Sequence, residues 1–171
     1  VAKEITQISM FQKLMAFVAL SIESLLIHVD EPIHFEKTVE RIEGVFKIYN
    51  IPDLQPNAAF LFYFKAATGY MMLQQQEKAL KMIEKYVNTC EKCVFPLSLK
   101  GDDYFYLLNN WIHRHEQVMK NAPRDEQSIK HDLVREIEFN PVFEPLSQKQ
   151  EFQQLIGKLK DILLRGGNKD E

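Results

Sequence analysis

Two cysteines spaced as C-x-x-C are the first residues in this chain whose types could do chemistry. Cys90 and Cys93 have the spacing of a redox pair or of half a zinc site. A redox pair of this kind needs a strand followed by a helix, and a zinc site needs two further ligands. His113 and His115 are candidates, but two residues apart on a helix their rings point in different directions. We therefore expect no metal and no cofactor, and we interpret the cysteines as ordinary residues near a helix end.

No other pattern of catalytic residues is readable. The five histidines lack metalloprotease spacing, and the six glycines are too scattered for a phosphate-binding loop. Asp102 and Asp103 precede a predicted helix, where carboxylates stabilise the positive end of the helix dipole. We expect capping rather than acid–base work there, and we predict that the chain is not an enzyme. A buried pair of charged residues in a closed pocket would revive an all-α enzyme as a third hypothesis.

Aromatic side chains are the richest supply of binding chemistry in the chain. They come from two segments, around residues 60–70 and 104–111, that a stack of helices would bring together. Tyr and Trp combine a polar tip with an apolar body, which suits a groove for a peptide or a small-molecule effector. A plain aromatic core is the other interpretation, and both stay open. The residues predicted to line the groove are Asn57, Tyr63, Lys65, Tyr70, Tyr104 and Trp111.

A helical hairpin must position the first group of aromatics. Its first helix is predicted from about residue 57 to 73, and its apolar residues are too many for one narrow stripe. Its second helix is predicted from about 77 to 88, with apolar residues at the i, i+3, i+4, i+7 spacing of an amphipathic helix. The glutamines at 74–76 form the turn.

The spacing of small and large residues in this hairpin resembles one tetratricopeptide unit. Ala67 and Ala79, twelve residues apart, stand where the repeat has small residues that let two helices come close. Tyr70 takes the aromatic position between them. Tyr86 departs from the pattern, because a second small residue is usual there.

A long helix is predicted at the N-terminus, over residues 3–29. It carries a heptad-like apolar seam that is shorter than three heptads. Two interpretations stay open: a helix packed on the body of the domain, or a dimerisation helix of a homodimer. The residues predicted to form the dimer contact are Phe11, Met15, Val18, Ile22 and Leu25. Because polar residues interrupt the apolar run at 14–29, we expect it to be too short to span a bilayer, and we expect a cytoplasmic chain without membrane contact.

Composition and breaker residues predict helices for the remaining chain as well. Apolar residues make up 46% and charged residues 26%, with a net charge of −3, which is typical of a soluble protein without a general attraction to nucleic acid. Asp30 is the predicted N-cap of the next helix, and Pro32 fits its first turn. Further helices are predicted over 32–49, 104–120, 125–139 and 152–163, with an extended connector at 50–56.

The predicted fold is therefore all-α, with about seven antiparallel helices stacked as tetratricopeptide-like hairpins. It divides into a linker or dimerisation helix at 1–29, a tetratricopeptide-like helical domain at 30–165 and a frayed tail at 166–171.

Several longer strings carry a resemblance to a known family. They are Y-N-I-P-D-L-Q-P-N (49–57), E-K-A-L-K-M-I-E-K-Y-V (77–87), P-L-S-L-K-G-D-D-Y-F (96–105), P-R-D-E (123–126) and F-N-P-V-F-E-P-L (139–146). Over most of residues 30–164 the chain resembles the C-terminal helical domain of helix-turn-helix transcriptional regulators from Gram-positive bacteria.

The resemblance implies an effector-sensing and dimerisation domain. It also implies a DNA-binding domain before Val1, outside this chain, through which alone DNA would be contacted. No recognition-helix pattern appears in residues 1–30, so no DNA-contact residue is carried over. The alternative is a stand-alone tetratricopeptide-like adaptor that binds a protein or peptide partner constitutively.

Overall fold

Helices account for most of the chain in the structure, a computed structural model that describes residues 1–119 and 125–165. The α-helices in these ranges are α1 Ala2–Ser24, α2 Pro32–Tyr49, α3 Ile51–Leu54, α4 Pro56–Met72, α5 Gln76–Lys92, α6 Leu108–Met119, α7 Glu126–Glu138 and α8 Gln150–Lys160. A 3₁₀ turn covers Pro141–Leu146, and a π-helical turn covers Asp161–Arg165. The described residues contain no strand. The prediction of an all-α fold is confirmed.

The predicted hairpin is formed by α4 and α5. The two ends of α4 lie within one residue of the prediction. The turn is a Schellman motif: Gln74 has a left-handed φ of 58°, and the N–H of Gln75 donates to the carbonyl of Tyr70 at 2.8 Å. The second helix continues to Lys92, four residues beyond the predicted end, since Thr89 and Cys90 extend its buried face.

α4 lies at the centre of the packing, between α2 and α5. α4 and α5 pack along each other, and Ala67 of α4 and Ala79 of α5 are completely buried. Gly69 faces α2 so closely that an added Cβ would lie 2.4 Å from the ring of Phe35. That ring in turn packs edge-on against Tyr70, with centroids 5.2 Å apart. Small residues therefore let both neighbouring helices approach α4, and large aromatic side chains fill the space beside them.

The N-terminal helix ends earlier than predicted, at Ser24 rather than residue 29. The hydroxyls of Ser21 and Ser24 donate to helix carbonyls at 2.8 Å, which competes with the regular backbone pattern. The chain then makes turns up to α2. Asp30 is not the N-cap, because that position belongs to Glu31, whose side chain makes no capping bond. Pro32 occupies the first turn of α2 as predicted.

By length and composition, α1 is the one described helix that could cross a membrane, a test that core helices and signal sequences also pass. The expectation concerned the run at 14–29, whereas the helix that meets these criteria is Ala2–Ser24, so the absence of membrane contact stays a prediction. In the structure one face of α1 packs on the domain through Phe11, Val18 and Ile22.

The connector at 50–56 was predicted to be extended, but the structure shows that it contains the short helix α3. Asn50 adopts a left-handed conformation with φ 51°, which ends α2 and redirects the chain. Its carbonyl accepts the N–H groups of Asp53 and Leu54, both at 3.1 Å. The burial of Ile51 and Leu54 favours this turn of helix. Pro52 fits there because the first helical turn needs no donor from it.

Helix α6 begins at Leu108, not at residue 104. Gln7 of α1 explains the difference, since its amide donates to the carbonyl of Tyr104 at 2.9 Å and accepts the N–H of Leu107 at 3.0 Å. Those backbone groups are therefore bound to α1. The predicted helix end near residue 120 and the predicted tail at 166–171 lie outside the described residues. α7 begins after its cap Asp125, which accepts the N–H of Ser128 at 2.9 Å.

Candidate functional site

A groove of about 670 Å³ lies where the C-terminal halves of α2 and α5 face each other. The start of α4 closes its floor, and α3 together with the segment after α5 closes its end. We call it the lysine groove. It is lined by Glu43, Phe46, Lys47, Asn50, Pro52, Asp53, Pro56, Tyr63, Lys85, Asn88, Thr89, Lys92, Cys93, Val94, Ser98 and Lys100.

Tyr63 of α4 forms the aromatic floor of the lysine groove together with Phe46 of α2. The two rings meet edge to face with centroids 6.1 Å apart, and Tyr63 is only 9% exposed. Burial, with a smaller contribution from the carboxylate of Glu43, raises the pKa of Tyr63 to about 12. The phenol is therefore neutral at physiological pH and can donate one hydrogen bond to a ligand.

The charge of the lysine groove is opposite in sign to that of the chain. Four lysines and two carboxylates line it, whereas the whole chain has a net charge of −3. Lys85 is neutralised by an ion pair with Glu43 across the mouth. Lys47, Lys92 and Lys100 form no ion pair with any other described residue. Three ammonium groups are thus available to an anion.

Neutral hydrogen-bonding groups lie between the lysines. Asn50, which follows α2, and Asn88 of α5 carry side-chain amides, and Ser98 carries a hydroxyl; all three line the groove. Asn88 already accepts a bond from Lys158 of α8 at 3.2 Å, so its position is fixed from outside the groove. Amides, hydroxyls and ammonium groups over an apolar floor are suited to an elongated polar ligand with negative charge.

The two cysteines have different environments, and neither is activated. Cys90 is buried in the core, and burial with the nearby Cys93 raises the pKa of its thiol. Burial, with a contribution from Asp53 that exceeds the opposing effect of Lys100, raises the pKa of Cys93 to about 11. Both side chains are therefore protonated thiols at neutral pH. Among the described residues, no group of three His, Cys, Asp or Glu could hold a metal ion.

The structure distributes the six predicted groove residues over several places. Only Tyr63 lines the lysine groove. Tyr70 lies deeper, beside Phe35 and 5.6 Å below the ammonium group of Lys78. Trp111 lines a separate cleft of about 450 Å³ between α1 and α6.

The other three predicted residues lie outside both cavities. Asn57 is exposed at the start of α4, and Lys65 is half-buried further along that helix. Tyr104 is exposed beside Tyr49, with ring centroids 6.1 Å apart. The six residues therefore do not converge on one surface in this structure.

The five predicted dimer residues mostly face inward. Phe11, Val18, Ile22 and Leu25 are buried against the chain's own core, and Met15 is partly buried there. This placement agrees with the first interpretation of α1, a helix packed on the domain body. As placed here, the buried four are not accessible to a second copy, so a dimer formed through α1 would need its other face.

The lysines and asparagines of the groove were not singled out from the sequence. One signal was available: Glu36 and Glu43 on α2 are seven residues apart, and so are Lys78 and Lys85 on α5. The structure joins them in two matched ion pairs. Such matched spacing indicates two helices that face each other and run in the same direction, but only the fold shows that Lys92 and Asn88 then line a groove.

Comparison of the chain with protein families, with curated proteins and with solved structures gave no significant match.

Proposed function

We propose that this chain is the effector-sensing and dimerisation domain of a bacterial transcription regulator, and that the lysine groove is its effector site. The effector is an elongated ligand with negative charge, such as an acidic peptide with a free C-terminal carboxylate. It lies along the groove between α2 and α5, and bound there it changes the spacing of the two helices. Its differential affinity for two such arrangements shifts the population between them.

The observation that carries this proposal is the set of three groove lysines that form no ion pair with another described residue. An acidic chain that places Lys47, Lys92 and Lys100 around one concave surface, with no carboxylate paired to them among the described residues, has a local attraction for anions. The neutral phenol of Tyr63 and the amide of Asn88 add directional contacts. Together they suit recognition better than catalysis, since the groove contains no activated nucleophile.

We further propose that α2 to α5 are arranged as tetratricopeptide-like hairpins. Ala67 of α4 and Ala79 of α5, both completely buried, support it. Tyr86, which departs from the repeat pattern, is also completely buried and packs on Phe60 with centroids 5.3 Å apart. In this arrangement the large residue at that position fills the contact with the helices that follow.

Calorimetric titration with two synthetic peptides tests the binding half. One is a heptapeptide rich in Asp with a free C-terminus, and the other has Lys in place of each Asp. We expect the acidic peptide to bind and the basic one not to bind. Lys92→Glu should weaken binding by about tenfold, because it replaces an attraction with a repulsion, and high salt should weaken it further.

The matched control is Lys37→Glu, an exposed lysine of α2 outside the groove that changes the net charge equally. It should leave binding of the acidic peptide almost unchanged. Equal losses in the two variants would mean a general charge effect and would contradict a groove site. So would equal binding of both peptides.

The regulator half is tested by the native reading frame upstream of Val1. An upstream segment with a helix-turn-helix pattern would support it. An initiator methionine close to Val1 would contradict it, and the second candidate function, a stand-alone adaptor, would then lead. The exposed apolar side chains on the outer face of α1, including Phe17 and Leu20, are the observation that favours an adaptor.

A further inference from the structure

The outer face of α1 is an apolar surface that no other described residue covers. Phe17 is 56% exposed and Leu20 is 67% exposed, although both belong to a helix whose inner face is fully packed. Ala16 and Ala19, also exposed, leave shallow depressions beside them. Large apolar side chains next to small ones form a surface into which another helix can pack.

Two charges frame this apolar surface. Lys13 lies one turn before it and Glu23 one turn after it, and both are exposed. Neither forms an ion pair with another described residue. At 1.5 Å of rise per residue, the two are separated by about 15 Å along the helix axis. The face is therefore positive at one end, negative at the other and apolar between them.

We propose that a second copy of this chain docks on this face, with the two α1 helices antiparallel and crossing near residue 18. In that register Lys13 of each copy lies opposite Glu23 of the other, and Leu20 lies opposite the small Ala16. The two Phe17 side chains lie close to the two-fold axis, on the same side of the plane that contains the two helices. The contact is isologous, as in most homodimers.

The charges discriminate between orientations. Parallel helices related by a two-fold axis would place Lys13 beside Lys13 and Glu23 beside Glu23, so like charges would meet at both ends. Antiparallel helices replace both repulsions with attractions. The Leu20 and Ala16 positions fit for the same reason, because only the antiparallel pairing puts the large residue of one copy against the small residue of the other.

This inference deepens the dimerisation half of the proposed function and names its surface. It uses the face opposite to Phe11, Val18 and Ile22, which are buried in the chain's own core. It does not depend on the lysine groove. Effector binding can be measured on a monomeric variant, and dimerisation can be measured without effector, so the failure of either is separately visible.

Sedimentation equilibrium of the full chain and its charge variants is the test. Lys13→Glu and Glu23→Lys should each weaken the dimer by about tenfold, since two exposed attractions become two repulsions. The double reversal K13E/E23K should restore the dissociation constant of the unchanged chain. Full restoration would support the antiparallel register, whereas a double reversal as weak as the single ones would overturn it.

Two leucine variants, one on the outer face of α1 and one on α4, test the apolar part of the proposed dimer contact. Leu20→Gln should weaken the dimer by at least about 100-fold, because both copies lose a buried contact. Leu61→Gln removes an exposed leucine of α4 and is the matched control, with an expected change below about twofold. Circular dichroism checks that both variants keep their helix content. A chain that stays monomeric at millimolar concentration, or a dimer that L20Q leaves intact, would overturn the proposal.

Membrane binding is the competing outcome for this face. Vesicles of phosphatidylcholine, with and without phosphatidylglycerol, are therefore sedimented with the chain. A chain that is monomeric in solution and binds these vesicles through Leu20 would overturn self-association in favour of a lipid surface. Dimerisation without vesicle binding would support the proposal.

Discussion

α4 and α1 are both apolar helices, yet the chain surrounds one and leaves half of the other uncovered. Nine of the 17 residues of α4 are buried, on several sides of the helix. Only three of the 23 residues of α1 are buried, all on one face. α4 has neighbours on both sides: Gly69 lies directly against Phe35 of α2, and α5 packs along α4 in the hairpin, where Ala67 is completely buried.

The difference shows that apolar content alone does not determine burial. A helix is buried on all sides only when neighbouring helices can reach it, and that depends on small residues at the contacts. α1 has small residues too, but Ala16 and Ala19 lie on its exposed face. In α4 the small residues meet neighbours within the chain, whereas in α1 they are available to another molecule.

The largest expected effect comes from replacing one phenylalanine of each helix with alanine. Phe62→Ala in α4 removes a completely buried ring and should lower the free energy of unfolding by about 3–5 kcal/mol. Phe17→Ala in α1 removes a half-exposed ring and should lower that of the monomer by less than about 0.5 kcal/mol. Urea denaturation at low protein concentration measures both. Similar losses would mean that α1 is as deeply packed as α4.

Matched glycine substitutions test the close approach of α2 to α4. Gly69→Ala places a Cβ 2.4 Å from the ring of Phe35, which is completely buried and cannot swing away, so it should cost about 1–2 kcal/mol. Gly44→Ala, in the same pair of helices, meets nothing within 4 Å and should stabilise by about 0.5–1 kcal/mol through helix propensity alone. A stabilising G69A would show that α2 does not need the small residue.

Periodicity was sufficient to predict the hairpin, because its signals are local. The apolar spacing and the three glutamines defined α4 and α5, and the caps of both helices lie in neighbouring residues. The start of α6 could not be predicted in this way, since the side chain of Gln7, about a hundred residues earlier, binds the backbone at Tyr104 and Leu107. A contact of that sequence separation leaves no local pattern.

The candidate site was harder to predict for the same reason. Tyr63 was identified because a tyrosine combines a polar tip with an apolar body, which is typical of ligand-binding grooves. Lys47, Lys92 and Lys100 have the sequence context of ordinary solvated charges, and they form a site only because the fold places α2 and α5 on opposite sides of one groove. The burial direction of the α1 seam was likewise undecidable, because its heptad-like spacing suits a neighbour in the same chain and a neighbour in another copy equally well.

An intermediate effect is expected from Tyr86 of α5, whose side chain links α5 to α7. Its hydroxyl donates to the carbonyl of Leu133 at 3.0 Å, so Tyr86→Phe should cost about 1 kcal/mol at neutral pH. Tyr106→Phe, at an exposed tyrosine, is the control and should change little.

The difference in the free energy of unfolding between the unchanged chain and Tyr86→Phe should depend on pH, and its sign follows from the pKa of Tyr86. Burial raises the pKa of Tyr86, with smaller contributions from Cys90 and Glu136. A raised folded-state pKa gives a contribution that is complete below the ordinary tyrosine pKa of 10.0 and is lost as the pH rises above it. The stability of the unchanged chain should therefore fall faster above pH 10.0 than that of Tyr86→Phe. A difference that stays constant across that pH would mean that the phenol is not buried.

The smallest expected effect belongs to the ion pair that joins α2 to α5 above Tyr70. Glu36 and Lys78 are each about two-fifths exposed, so solvent screens their attraction. A double-mutant cycle with Glu36→Gln and Lys78→Met should give a coupling of about 0.5 kcal/mol that declines in high salt, with Lys81→Met, an exposed lysine of the same helix, as the control. A coupling above that of the Tyr86 hydroxyl would mean that charge pairs, rather than the small residues of α4, hold its two neighbours in place. A weak coupling would leave the apolar contacts as the cause of the difference between α4 and α1, and it would leave α2 and α5 free to change their spacing when an anion enters the lysine groove.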